Sequence, residues 1–188
     1  MNIKPIIKYG NPLLLEKCEK VTQETENLAE IIQILKNSTY FYHGAGLSAI
    51  QIGEKLELFV GFINGQIKTF INCEILEQSP EQVKEMEGCL SLPSIYIPKL
   101  RPRWIKVRYL NEDFEVKEDG FEGFQARLIC HEYEHAHQKF FLDEISQLNI
   151  NIINQKIKKL KNKGKWDLDE RTLKLIESKN NIFPTIAS

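Results

Sequence analysis

Apolar residues recur at helical spacing over 24–40, where Leu28, Ile31, Ile32 and Leu35 share one face. A glycine-punctuated segment follows, HGAGLSAIQIG at 43–53. It leads into two strand-like runs, 56–63 and 67–71, with Asn64-Gly65 between them as a hairpin turn signal. A further strand is expected at 83–86. Residues 104–110 alternate apolar and polar, and Asn111-Glu112-Asp113 turns the chain into a short run at 114–117 that Gly120 closes. From 121 to 137 the period is helical again, with Phe124, Leu128, His131 and His135 on one face. Another helix is expected over 144–163, with Gly164 as its C-cap. Asp167 and Glu170 read as a capping box for a last short helix, and Pro184 ends any helix in the tail. Strands precede helices instead of alternating with them. The expected fold is α+β, with mixed or antiparallel sheets packed around a central helix and a C-terminal helix beyond it.

Bulk properties narrow the function. A chain of 188 residues, 42% hydrophobic and 27% charged, is long enough for one domain with a real core. A net charge of -1 gives no global field that would favour DNA or a membrane. No apolar stretch approaches the ~18 residues of a membrane span. The segment MNIKPIIKYGNP is broken by Pro5, Gly10 and Pro12, unlike a signal peptide. The expected address is the cytoplasm, where Cys18, Cys73, Cys89 and Cys130 stay mostly as thiols. None of them forms a CxxC pair, so a zinc ribbon or thioredoxin-type site is not indicated.

The densest chemistry lies in His131-Glu132-Tyr133-Glu134-His135. Residues four apart sit on one helical face, so two imidazoles at this spacing can grip one metal ion. Glu132 then stands beside the open position, able to take a proton from water and return it to a leaving amine. By itself the pattern is as compatible with an ordinary amphipathic helix. His137 falls off the face and reads as solvent-exposed or as a partner to a ligand. A tetrahedral site needs a third protein ligand. Gln138 stands where the longer zinc-protease motif requires glycine, and Glu144 is too close for a distant ligand, so the third must come from upstream. Cys89, in Glu87-Gly88-Cys89, is the best candidate, since glycine permits close approach and thiolate binds Zn2+ or Fe2+ well. An ordinary buried thiol is the other reading, and the one taken for Cys18, Cys73 and Cys130.

Three segments in order, GAGLSAIQ (44–51), EGCLS (87–91) and HEYEH (131–135), resemble the signature motifs of the peptide deformylases. The connecting pieces FINCEILEQS, RPRWIKVRYLN and GFQARLICHE are similar as well, and the resemblance covers roughly residues 5–160. It implies a catalytic domain over 1–163, with 164–188 as an extension carrying a short helix and a loose tail. It further implies removal of the N-formyl group from the N-terminal methionine of nascent polypeptides. Cys89, His131 and His135 would hold one divalent metal ion, Fe2+ in the cell, with Zn2+ or Ni2+ as substitutes. Glu132 would manage the protons. Gln51 and the backbone N–H of Leu90 would hold the oxyanion, and Gly46, Ala45 and Leu90 would line the substrate. Arg101 would pair with Glu134, although a surface arginine is an equal reading.

The sequence departs from the family pattern at several places. Glu134 replaces the usual aspartate, Ser48 an alanine, Cys130 a glutamine and Cys73 a proline. Ala136 and Gln138 stand where a leucine and a glycine are common. These changes spare the ligands, the base and Gln51, and bear instead on turnover and on preference for the methionine side chain. Two alternatives remain open: a deformylase-like protein that binds metal and peptide with little turnover, and another HExxH metallopeptidase. Residues 151–165 carry six lysines and no acid, with Ile153, Ile157 and Leu160 on the opposite helical face. Those lysines suit ribosomal RNA phosphates, or form a plain solvated face.

Overall fold

The hairpin at Asn64-Gly65 takes the backbone conformation its residues favour. Both have positive φ, 51° and 82°, as a tight two-residue turn between twisted strands requires. In the computed structural model, which describes residues 2–140, 142, 145–162 and 166, this turn joins β2 (Leu58–Ile63) to β3 (Gln66–Gln78). With β1 (Gly46–Ser48), β6 (Trp104–Leu110) and β7 (Val116–Glu122) they form a five-stranded antiparallel sheet in the order β1-β2-β3-β6-β7. A separate antiparallel ribbon pairs β4 (Gln82–Cys89) with β5 (Leu92–Pro102).

Alternation along β2 divides the core. Leu58 and Val60 pack on one side with Ile31, Ile32 and Leu35 of α1 (Leu28–Phe41). Phe59 and Ile63 point the other way, into a cluster with Phe70, Ile105 and Val107 and with Leu128 and Ile129 of α2 (Gly123–Ala136). The sheet thus lies between the two helices, and α2 is the helix that carries HEYEH.

Several elements differ from the sequence expectation. β3 is 13 residues long instead of ending at Ile71, because register shifts after Ile71 and Ile75 break its two-residue period. β5 carries Pro93, Pro98 and Pro102, which argue against a strand. A two-stranded ribbon leaves each strand an open edge, where a missing N–H costs nothing. α1 starts at Leu28, after Asn27 in a left-handed conformation. Phe114 also has positive φ, so β7 starts at Val116 and runs through Gly120, which pairs with Lys106. Phe124 is 61% exposed and does not share the buried face of α2.

The described residues from Asn2 to Leu142 form one unit. Those described from 145 onward form a second, in which α3 spans Gln147–Asn162 with Ile153 and Ile157 on one face. Gly164, Asp167, Glu170 and Pro184 lie outside the described residues. No described helix is long and apolar enough to cross a membrane.

Candidate metal centre

The ribbon and α2 converge at one point. Cys89 is the last residue of β4, and His131 and His135 lie one turn apart on α2. The ligand atoms of the three residues all lie within 4.8 Å of one another. Cys89 Sγ is 3.3 Å from His135 Nε2. Bonds of ~2.3 Å to sulfur and ~2.0–2.1 Å to nitrogen at a tetrahedral angle would hold such a pair roughly 3.5 Å apart. One thiolate and two imidazoles make a donor set suited to Zn2+, Fe2+ or Ni2+, with a fourth position left for a reactant. The residues present therefore fit a divalent transition metal.

Burial lowers the His135 imidazole well below its ordinary pKa, and the nearby His131 and Arg101 push the same way. His135 is thus neutral, as a ligand must be. Burial also acts to lower His131, but hydrogen bonding to Cys89 and Glu87 outweighs it and raises the imidazole to about 10. A metal entering here must displace that proton.

Glu132 is 4% exposed, and its Oε2 has no hydrogen-bond partner among the described residues. Its Oε1 faces β1 so closely that a Cβ on Gly46 would lie 2.8 Å from it. Burial pushes the Glu132 carboxyl up to about 7; the His131 charge opposes this and the Glu87 charge adds to it. Gln51 is fixed at both ends of its amide. Its Oε1 accepts from the Ser48 N–H at 2.9 Å, and its Nε2 donates to Ser91 Oγ at 3.0 Å and to Cys89 Sγ at 3.4 Å. Leu90 occupies the tight turn between β4 and β5, with its side chain against Gly44. Ala45 is partly buried beside the α2 cluster, and its carbonyl accepts from the Phe62 N–H.

Arg101 is buried, not on the surface, and both its NH groups face the Glu134 carboxylate. The longer side chain at 134 still makes this two-point contact. Sequence reasoning missed the centre of the network. Glu87 Oε1 accepts from Arg101 Nε at 2.8 Å and from Arg127 at 2.6 Å. Its Oε2 accepts from Arg101 at 2.9 Å and faces His131 Nδ1 at 3.1 Å. Burial alone would raise the Glu87 carboxyl, yet His131 and Arg101 hold it well below the usual carboxylate range. It therefore remains charged and holds the His131 ring through Nδ1, which leaves Nε2 as the nitrogen for a metal. A signal existed: Glu87 is two residues before Cys89 on a strand, the spacing of residues that share a face. His137 turns away to stack on Tyr133, with ring centroids 3.9 Å apart. Burial pushes the thiols of Cys18, Cys73 and Cys130 up to about 11, 12 and 11, as inert interior cysteines.

Residues 3–151 match the family model described as polypeptide deformylase. A peptide deformylase of Flavobacterium psychrophilum is 32% identical over 94% of this chain and 99% of its own length. One from Clostridium botulinum is 40% identical over 78% of this chain and 99% of its own. The crystal structure of the Thermotoga maritima peptide deformylase is 36% identical and superposes with a TM-score of 0.74, covering 78% of this chain and 99% of that one. With matches of this extent to the model and to relatives aligned along nearly their whole length, the chain belongs to the peptide deformylase family.

Proposed function

We propose that this chain is a metal-dependent hydrolase that removes the N-formyl group from the N-terminal methionine of nascent polypeptides. The observation that carries the reading is the approach of Cys89, His131 and His135 beside a buried Glu132 in a chain of this family. A bound divalent ion supplies Lewis acidity and lowers the pKa of water into the neutral range. Glu132 takes the proton of the attacking water and passes it to the amine that leaves. Its burial favours the protonated form, which helps it hold that proton between the two transfers. The Gln51 Nε2–H and the Leu90 backbone N–H donate to the formyl oxygen as it gains charge. Such donors are worth roughly 3–4 kcal/mol each when aimed at the transition state. Gly46, Ala45 and Leu90 wall the small formyl group. Arg101, Glu134 and Glu87 keep His131 oriented.

We assign Fe2+ as the ion in the cell, with Zn2+ or Ni2+ able to replace it, and a cytoplasmic location. The lysines of 151–165 are assigned to ribosomal RNA. Protein loaded with Fe2+ without oxygen, its metal measured in the same preparation, tests the central reading. Formate should be released from formyl-Met-Ala-Ser, unformylated peptide should stay intact, and Glu132→Ala should lose most of the rate. Turnover no better than that of Glu132→Ala would mean a silent binder. Cleavage of the unformylated peptide would mean a different metallopeptidase.

A further inference from the structure

Arg127 is a charged residue in the middle of α2, buried to 4% exposure. Its guanidinium reaches both strands of the ribbon. On β4 it donates to the Val83 carbonyl at 2.7 Å, Glu85 Oε2 at 3.0 Å and Glu87 Oε1 at 2.6 Å; on β5 it donates to the Lys99 carbonyl at 3.0 Å. A planar fork that satisfies four acceptors fixes orientation as well as separation. Among the described residues no strand ladder joins the ribbon to the five-stranded sheet, so side-chain contacts such as these hold its face against α2.

The location of this tie matters. Arg127 precedes His131 by four residues, one turn earlier on the same helical face. Glu87 precedes Cys89 by two residues on β4, and both side chains face α2, Glu87 at His131 and Cys89 at His135. The Arg127–Glu87 contact therefore lies one step upstream, on both elements, of the contact between the paired imidazoles and the Cys89 sulfur. Glu87 Oε1 is held by Arg127 while its other oxygen faces His131 Nδ1, so Arg127 also steadies the carboxylate that orients a ligand.

We propose that Arg127 is a positioning residue for the metal centre, setting how closely the strand bearing Cys89 approaches the helix bearing His131 and His135. This rests on the reading of those three residues as ligands. The test uses the full chain loaded with Co2+, whose thiolate-to-metal charge-transfer band reports the sulfur bond separately from the imidazoles. Affinity comes from competition with a chromophoric chelator. Arg127→Met should weaken Co2+ binding about tenfold or more, as loss of a ligand's support does. It should also weaken the thiolate band per bound ion. Arg127→Lys, which keeps the charge without the fork, should recover part of both. If Arg127→Met does not fold, Arg127→Lys decides by the same two measurements. Affinity and band within about twofold of the parent in the deciding variant overturn the proposal, as does weakened affinity with an unchanged band. Cys89→Ser separates the two failures. Survival of the band in that variant means the ligand reading is wrong. Its loss there, with the Arg127 variants unaffected, means that only the positioning role is wrong.

Discussion

Replacing Gly46 by alanine asks whether the Glu132 carboxylate must stand where it does. A Cβ at 46 would lie 2.8 Å from Glu132 Oε1, 2.8 Å from Leu128 Cδ1 and 2.9 Å from the Val60 carbonyl oxygen. That carbonyl is fixed by pairing between β1 and β2, in which Gly46 opposes Gly61 and Leu47 opposes Val60. Carbon and oxygen in ordinary contact stand roughly 3.3 Å apart. The two side chains must therefore yield, the carboxylate by about half an ångström, and β1 must ease away from the Val60 carbonyl. Overpacking of this kind costs about 1–3 kcal/mol of stability. Misplacing a reacting group by ~1 Å can cost ~100-fold, so kcat/KM on formyl-Met-Ala-Ser should fall about tenfold to a hundredfold. Metal content should hold, since none of the three contacts is a proposed ligand. Gly61→Ala is the control: its Cβ would meet only Leu128, at 3.2 and 3.6 Å, and activity should stay within about threefold. Formate release and metal content, measured on both variants, decide the matter. Full activity in Gly46→Ala, or a loss of activity that tracks loss of metal, would refute the reasoning.

Arg101→Met leaves Glu134 without its guanidinium partner and strips two contacts from Glu87. Removing one member of a buried ion pair costs about 3–5 kcal/mol, and urea unfolding should show it; a loss below about 1 kcal/mol would count against the network. Cys73 gives a pH dependence. Burial, chiefly, raises its folded pKa to about 12, against an unfolded value of about 8.5. Its contribution is complete below pH ~8.5 and is lost as pH rises toward 12, because only the unfolded chain sheds the proton there. Unfolding free energies between pH 9 and 11 should therefore fall about 1 kcal/mol per pH unit less steeply in Cys73→Ala than in the parent. Parallel slopes would exclude a buried neutral thiol.

What could be read from the sequence was what local period encodes. His131 and His135, four apart, share the α2 face, and Leu28, Ile31, Ile32 and Leu35 mark the inner side of α1. Cys89 emerged from its glycine-flanked motif. Glu87, Arg101 and Arg127 did not emerge as one buried cluster, because hydrophobic patterning places charge outside. Their burial depends on partners contributed by both the ribbon and the helix, which is a tertiary fact. β5 was hidden by its prolines, whose cost depends on whether a strand has an open edge. Phe124 lies in the first turn of α2, and periodicity cannot show where the covering layer stops.

The separation of 46 positions from Cys89 to His135, spanned by a 3.3 Å gap in space, bears on how the protein comes together. Closing a free loop of that length costs about 3 kcal/mol in chain entropy. An ion gripped at both ends would fasten the loop much as a disulfide of the same reach does. The two imidazoles need no such closure, since one helical turn supplies both. Stripping such an ion with a chelator would then unpin a long stretch of chain as well as silence a reaction.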